Sequence, residues 1–125
     1  MSARRLTAVA IGAIVGSVLR WAMVRTTGLA VEPAILVVNT VAAGVLGWLR
    51  AAVANGSVRR RDVEELVGAG VCGALSTWSA LAVRLADLVL AGDWGPALVW
   101  TAASLVLGIG AATLAWRLTI REVAA

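Results

Sequence analysis

The sequence lacks most of the residues from which catalytic and redox sites are built. It contains no histidine and only one cysteine, Cys72. A disulfide within one chain is therefore excluded, and a transition metal or haem would lack its usual ligands. There is no nucleophile beside a base and no pair of carboxylates inside an apolar segment, so we expect the protein not to be an enzyme.

Charge is scarce, and long apolar segments dominate the chain. Charged residues make up 14% of the 125 residues, hydrophobic residues make up 61%, and the mean hydropathy is +0.92. This composition lies far outside the range of soluble domains. A helix needs roughly 20 apolar residues to cross the hydrocarbon core, and the segments close to this length are about 6–24, 33–49, 66–83 and 94–116. We predict an all-α membrane protein, a single domain of residues 1–125 with four transmembrane helices in contact with membrane lipid.

All eleven basic residues are arginines, and they flank the apolar segments. We interpret them as charges that orient the spans, so no nucleic-acid partner is expected. With the N-terminus in the cytoplasm, the cytoplasmic side would carry eight: Arg4, Arg5, Arg50, Arg59, Arg60, Arg61, Arg117 and Arg121. The outer side would carry three: Arg20, Arg25 and Arg84. This bias predicts one fixed orientation in the cell membrane, the inner membrane in a bacterium, with both termini cytoplasmic.

The third predicted span concentrates small and polar residues near its middle. Within a dozen positions it has Gly68, Gly70, Gly73, Ser76, Thr77 and Ser79. Irregular backbone inside a membrane persists only where it is buried in protein or lines a polar cavity. Between Gly73 and Ser79 we therefore predict a break that marks an ion or substrate site. For Gly68 and Gly70 the favoured alternative is close helix packing, which the spacing of Gly12 and Gly16 also predicts for span one.

Local patterns in the first three spans carry a family resemblance. They are Gly12-Ala-Ile-Val-Gly16-Ser-Val-Leu-Arg20-Trp21, then Val37-Val38-Asn39 with Gly47, and then Gly70-Val-Cys72-Gly73-Ala-Leu-Ser76-Thr77-Trp78-Ser79. In this order and spacing they resemble the CrcB/Fluc family of fluoride channels. The resemblance implies an antiparallel, dual-topology dimer in which fluoride leaves the cytoplasm passively along paths at the interface.

The resemblance also implies a structural sodium ion at the centre of the dimer. Matched onto this chain, its ligands would be the backbone carbonyls of Gly73 and Ser76. A hard cation prefers oxygen ligands, and a broken helix leaves carbonyl groups unpaired. The predicted break is therefore expected to hold a cation.

A fluoride path needs neutral hydrogen-bond donors, which replace the hydration of the anion without trapping it. The candidate donors are Asn39, Thr77, Trp78, Ser79, Trp100 and Ser104. Asn39 comes first because an amide in an apolar span is costly without a partner, although a hydrogen bond between helices would also satisfy it. Ser104 has the alternative of bonding to its own helix. Arg20 either attracts anions to a vestibule or extends to the headgroups.

The sequence departs from the family pattern at the pore itself. It contains no phenylalanine, and Trp78 stands where the first pore ring is expected, whereas Leu81 stands where the second is expected. Ala80 replaces a hydroxyl residue, and Arg84 stands where glutamate is usual. A leucine cannot present a ring edge to an anion. We therefore predict a heterodimer with an oppositely oriented sister subunit and one competent path, with a homodimer as the alternative.

Two other functions are left open by the sequence. One is a non-conducting structural subunit that completes the fold and the pore of a partner. The other is a small multidrug transporter, which also has four short spans. Proton-coupled export of cations calls for a carboxylate inside a span. Glu32 precedes the second span, while Asp87 and Asp93 lie at or beyond the end of the third, which argues against the transporter.

Overall fold

Helices make up all the regular secondary structure of the described residues. The computed structural model describes residues 2–26, 28, 30–58 and 61–124, without the side chains of Val31 and residues 121–124. Arg59 and Arg60 lie outside the described residues, as does the side chain of Arg121. Within the described ranges, the helices long and apolar enough to cross a membrane are Ala3–Thr26, Glu32–Ala54, Arg61–Leu90 and Trp94–Ile120. The predicted all-α membrane protein is confirmed.

The elements in chain order are α1 (Ala3–Thr26), α2 (Val31–Ala54), α3 (Arg61–Glu64), a π-helix (Glu65–Cys72), α4 (Gly73–Leu75), α5 (Trp78–Leu90) and α6 (Trp94–Ala124). The third span comprises α3, the π-helix, α4 and α5. The helices run past the predicted spans because the polar residues that flank an apolar segment continue the helix into the headgroup region. A tight turn at residues 91–93, with Gly92 at a φ of 81°, reverses the chain between α5 and α6.

Glycines bring α1 into close contact with the π-helix. A Cβ atom added to Gly70 would lie 2.8 Å from the Cα atom of Gly12 and 2.8 Å from the carbonyl oxygen of Val9. Gly16 is buried on α1 beside Ala74. Because lipid provides no hydrophobic drive for helix association, such close backbone contact supplies much of the packing energy in a membrane. The predicted packing role of Gly12, Gly16 and Gly70 is confirmed.

The third span approaches its break through eight residues of π-helix, Glu65–Cys72. In this geometry each N–H bonds to the carbonyl five residues back, and at the end of the π-helix the N–H of Gly73 donates to the carbonyl of Gly68. The wider turn of a π-helix rotates the side chains that follow it, relative to an uninterrupted α-helix.

α2 packs along α6 and also contacts the third span. A Cβ atom added to Gly47 of α2 would lie 2.7 Å from the Cα atom of Ala112 of α6, so the two backbones nearly touch. The core between α2 and the third span is formed by Val38, Ala42, Cys72 and Leu75. Val38 is fully buried in this core, and the side chain of the next residue, Asn39, is within hydrogen-bond distance of the third span.

Ion pairs join the helices at the end of the bundle that carries the N-terminus. They are Arg4 with Asp62 at 2.9 Å, Arg5 with Glu65, and Arg50 with Glu64 at 2.5 Å. Several of these side chains are well exposed, and each exposed pair contributes only about 0–1 kcal/mol to stability. Their common location places the start of α1, the end of α2 and the start of the third span at one end of the bundle, which we name the arginine-rich end.

Substituting Gly12 by alanine tests the contact between α1 and the π-helix. The added methyl group would lie 2.9 Å from the Cα atom of Gly70, and overpacking of this kind costs about 1–3 kcal/mol. We expect Gly12→Ala to lower the thermal unfolding midpoint of the purified protein in detergent. Gly44→Ala is the matched control, because a Cβ atom there meets only the Cβ of Ala111 at 3.8 Å. Equal midpoints for the two variants would contradict the close contact.

Candidate functional site

The third span is broken at Ser76 and Thr77, whose extended backbone has ψ angles of 153° and 106°. α4 ends just before these residues, and α5 begins just after them. The break therefore falls inside the segment, residues 73–79, in which the sequence predicts it. Extended residues cannot continue the hydrogen bonds of a helix, so their backbone groups need partners from elsewhere.

The side chain of Asn39 supplies both partners of Thr77. Its Oδ1 atom accepts a hydrogen bond of 2.7 Å from the N–H of Thr77, and its Nδ2 atom donates one of 3.2 Å to the carbonyl of Thr77. The amide thus pairs with the broken backbone as a neighbouring strand would. The bond between helices that the sequence leaves open for Asn39 is present, and one hydrogen of its NH2 group is left for a further acceptor.

Arg20 reaches the same break from α1. One of its guanidinium nitrogens donates a hydrogen bond of 3.3 Å to the carbonyl of Ser76, in a partly buried position. The guanidinium therefore lies against the broken backbone of the third span. A guanidinium carries five N–H groups, so most of the donors of Arg20 are left for water or an anion.

The hydroxyl groups at the break differ in what they can offer to a ligand. The Oγ1 atom of Thr77 accepts a hydrogen bond of 3.2 Å from the N–H of Ala80 and so caps the start of α5. It also lies 3.4 Å from the Oγ atom of Ser79, and one of these two hydroxyls donates to the other. Ser76 donates its proton to the carbonyl of Cys72 at 2.9 Å. One hydroxyl proton, from Thr77 or Ser79, is therefore left for an anion.

A cavity of about 470 Å³ opens beside the break, and we name it the break cavity. It is lined by Ser17, Arg20, Trp21, Val24, Arg25, Ile35, Thr77, Ser79 and Ala80. Arg20 and Arg25 give this lining two positive charges, and none of the described lining residues is acidic. The structure thus brings three predicted site residues, Arg20, Thr77 and Ser79, together in a cavity whose charge suits an anion.

Trp100 and Ser104 lie elsewhere, in a smaller cavity that Leu81 and Arg84 also line. The hydroxyl of Ser104 donates a hydrogen bond of 2.8 Å to the carbonyl of Trp100, so the bond to its own helix that the sequence leaves open is present. In this rotamer the hydroxyl presents lone pairs rather than a proton to the cavity. The structure does not bring this pair of residues together with Asn39.

The charge of Arg84 is paired with that of Glu32. Glu32 is not among the site residues that the sequence predicts. The Nε atom of Arg84 lies 2.6 Å from the Oε1 atom of Glu32, and both residues line the smaller cavity. The pair connects the first turn of α2 to α5. The sequence does place Glu32 and Arg84, which have opposite charges, next to the ends of two predicted spans, and this could have suggested an ion pair. Their pairing depends on the relative rotation of two helices, which the sequence does not reveal.

Trp78, the first residue after the break, is 70% exposed. The other well exposed tryptophans lie toward helix ends, where membrane proteins commonly carry this residue; they are Trp21, Trp48, Trp94 and Trp116. Trp78 instead lies in the interior of the third span. Its indole N–H has no hydrogen-bond partner in the described part of the chain, so it needs one outside the subunit or in a polar path.

Comparison with known proteins gives one family and a consistent set of relatives. The family model described as CrcB-like protein, Camphor Resistance (CrcB), matches residues 7–116. The protein named Fluoride-specific ion channel FluC 2 of Parasynechococcus marenigrum is 38% identical over 113 residues, which cover 90% of this chain and 79% of that protein. Fluoride-specific ion channel FluC 1 of Halobacterium salinarum is 40% identical over 112 residues, 88% of this chain and 89% of that protein. Fluoride-specific ion channel FluC of Marinobacter nauticus is 32% identical over 102 residues, 79% and 81% of the two chains.

Replacing Asn39 by alanine removes both hydrogen bonds to Thr77 and leaves backbone groups unpaired, at a cost of about 1–3 kcal/mol for each buried group. We expect Asn39→Ala to lower the unfolding midpoint in detergent and to speed hydrogen exchange at the Thr77 amide, measured by hydrogen–deuterium exchange. Thr40→Val is the control, because the hydroxyl of Thr40 bonds to the Leu36 carbonyl of its own helix. Unchanged exchange at Thr77 would show that Asn39 does not hold the break.

Proposed function

Since this chain belongs to the CrcB family, we propose that it is a subunit of a channel through which fluoride crosses the cell membrane. The relatives described above are named fluoride-specific ion channels. The family consists of ion channels and not of enzymes, so membership confirms the expectation that this chain is not an enzyme. Membership also argues against the multidrug transporter.

The break cavity is the observation that carries this proposal. Arg20 and Arg25 raise the concentration of anions at its mouth, and no acidic residue in its described lining opposes them. At the break itself, the neutral donors are the second amide hydrogen of Asn39 and one hydroxyl proton of Thr77 or Ser79. Neutral donors replace the hydration shell of a small anion without holding it as tightly as a buried cation would.

We place the arginine-rich end in the cytoplasm. Arg4, Arg5 and Arg50 are tied to the start of the third span at this end, and cytoplasmic ends of membrane proteins carry an excess of such residues. The break cavity, with Arg20 and Arg25, then faces the outer half of the membrane. A channel has no coupled energy source, so fluoride accumulated in the cytoplasm would leave passively down its gradient.

An antiparallel dimer is the assembly that best accounts for the exposed surfaces. Trp78 is 70% exposed in the subunit, although its indole N–H needs a partner. The most apolar stretch of α6 has only 6% of its residues buried within the subunit. A second subunit against these surfaces would bury them and would bring the two breaks together at the centre of the dimer.

The broken backbone also suits a structural sodium ion bound by the carbonyls of Gly73 and Ser76. The Gly73 carbonyl accepts no hydrogen bond from the described residues, because the Thr77 N–H that would reach it in a continuous helix bonds to Asn39. The Ser76 carbonyl accepts a bond from Arg20 and keeps its second lone pair. Carbonyl oxygens are ligands that hard cations prefer. Such an ion would supply positive charge between the breaks of the two subunits.

We further propose that this subunit contributes to one competent fluoride path and pairs with a sister chain. In the smaller cavity, Leu81 presents no ring edge, and the charge of Arg84 is paired with Glu32. Ser104 donates its proton to its own helix. With a volume of only about 10 Å³ within the subunit, this cavity offers an anion little room and few donors. The names FluC 1 and FluC 2 among the relatives support the presence of two such chains in some species, as a heterodimer requires.

Fluoride efflux from liposomes tests this function. We expect little efflux from liposomes that contain this chain alone, and rapid efflux when a sister chain of opposite arginine bias is reconstituted with it, both measured with a fluoride electrode. Efflux from the chain alone would support the channel but contradict the requirement for a heterodimer. Absence of efflux from both preparations, with dimers verified by cross-linking, would contradict the channel.

Trp78 distinguishes a conducting subunit from a structural one. Trp78→Leu removes the ring edge and the indole N–H, whereas Trp78→Phe keeps a ring edge. We expect the leucine variant to lower fluoride efflux about tenfold, equivalent to about 1.4 kcal/mol in the barrier, and the phenylalanine variant to keep most of it. Trp94→Leu, at an exposed residue that begins α6, is the control. Unchanged efflux with Trp78→Leu would identify a non-conducting structural subunit.

A further inference from the structure

A groove lies between α2 and α6 at the arginine-rich end of the bundle. Its volume is about 500 Å³, and its walls are formed mainly by Leu46, Gly47, Arg50, Ala112, Trp116 and Arg117. None of the described lining residues is acidic. The groove is separate from the break cavity, so it is available for a different ligand.

The apolar floor of the groove follows from how closely the two helices pack. Gly47 lies directly against Ala112, with only 2.7 Å between an added Cβ atom and the Cα atom of Ala112. Larger side chains flank this contact, and Leu46 and Trp116 remain 36% and 40% exposed. The side chains of Leu46 and Trp116 form the walls of the groove on either side of the contact between Gly47 and Ala112. The resulting trench is mainly apolar, which suits a hydrocarbon chain.

Arg117 gives the mouth of the groove an unpaired positive charge, and Arg50, whose charge is paired with Glu64, adds further N–H donors. Arg117 is exposed and has no ion pair or hydrogen bond with other described residues. Arg50 contacts Glu64 through one nitrogen at 2.5 Å, and its side chain is 63% exposed, so other N–H groups are accessible. Guanidinium groups bind phosphate through paired N–H donors. The combination of two guanidinium groups with an apolar trench matches a lipid phosphate with an acyl chain below it.

We infer that this groove binds an anionic glycerophospholipid, with its phosphate between Arg50 and Arg117 and one acyl chain over the contact of Gly47 with Ala112. Trp116 suits the level of the headgroups. The mouth lies at the end that we place in the cytoplasm, where anionic lipids give the leaflet a negative surface potential.

Native mass spectrometry of the full-length protein, released from vesicles of phosphatidylcholine and phosphatidylglycerol, tests this inference. We expect the wild-type protein to retain phosphatidylglycerol preferentially. Arg117→Gln should lower its retention about fivefold, the factor that corresponds to about 1 kcal/mol for one arginine at an anionic lipid surface. Arg4→Gln is the matched control, because Arg4 is exposed at the same end but lies outside the groove. Equal losses in both variants would mean that only the general surface charge attracts lipid.

A second variant tests the groove separately from its charge. Thr113 is exposed and lines the groove, so Thr113→Trp should fill the trench, leave the fold intact and abolish the retention of phosphatidylglycerol. Retention at the wild-type level would overturn the inference. So would efficient cross-linking between subunits through Thr113→Cys, because a second copy would then occupy the groove. The readout is retained lipid, so neither result depends on whether the protein conducts fluoride.

Discussion

The pairing of Asn39 with the backbone of Thr77 is the interaction on which the rest of the site depends. In hydrocarbon each unpaired backbone group costs several kcal/mol, so a span can break only where other helices supply partners. Asn39 comes from α2, and Arg20, which bonds to the adjacent carbonyl, comes from α1. The break therefore requires the assembled bundle. The close contact of Gly12 with Gly70 holds α1 against the third span and so keeps Arg20 within reach of it.

The same pairing limits what the break offers to an anion. Asn39 donates one amide hydrogen to the carbonyl of Thr77, and its other amide hydrogen is available. One hydroxyl proton of Thr77 or Ser79 is also available. An anion there would find a few neutral donors and, close by, the charged group of Arg20. A few donors replace part of the hydration shell, whereas a complete cage would bind the ion too tightly to release it. In the proposed channel, holding the break and passing an anion would therefore draw on the same small set of groups.

Composition predicted the segment in which the third span breaks, because residues 73–79 combine glycine with hydroxyl side chains that compete for backbone hydrogen bonds. It did not predict the π-helix, because residues 65–72 have the small and apolar character of any packed span. Nor could it choose between the two interpretations of Asn39 or pair Glu32 with Arg84. Both depend on the rotation and depth of α2 relative to the third span, which tertiary packing sets and local periodicity does not record. The pore roles assigned to individual side chains stay predictions.

The two cavities along α5 present an anion with different electrostatic environments. In the break cavity, Arg20 and Arg25 have no acidic residue beside them in the described lining, whereas in the smaller cavity Glu32 accompanies Arg84. An arginine attracts an anion only to the extent that its charge is not already neutralised, and the carboxylate of the pair also repels fluoride. This difference is the electrostatic reason for proposing a sister chain, rather than a second copy of this one, as the partner.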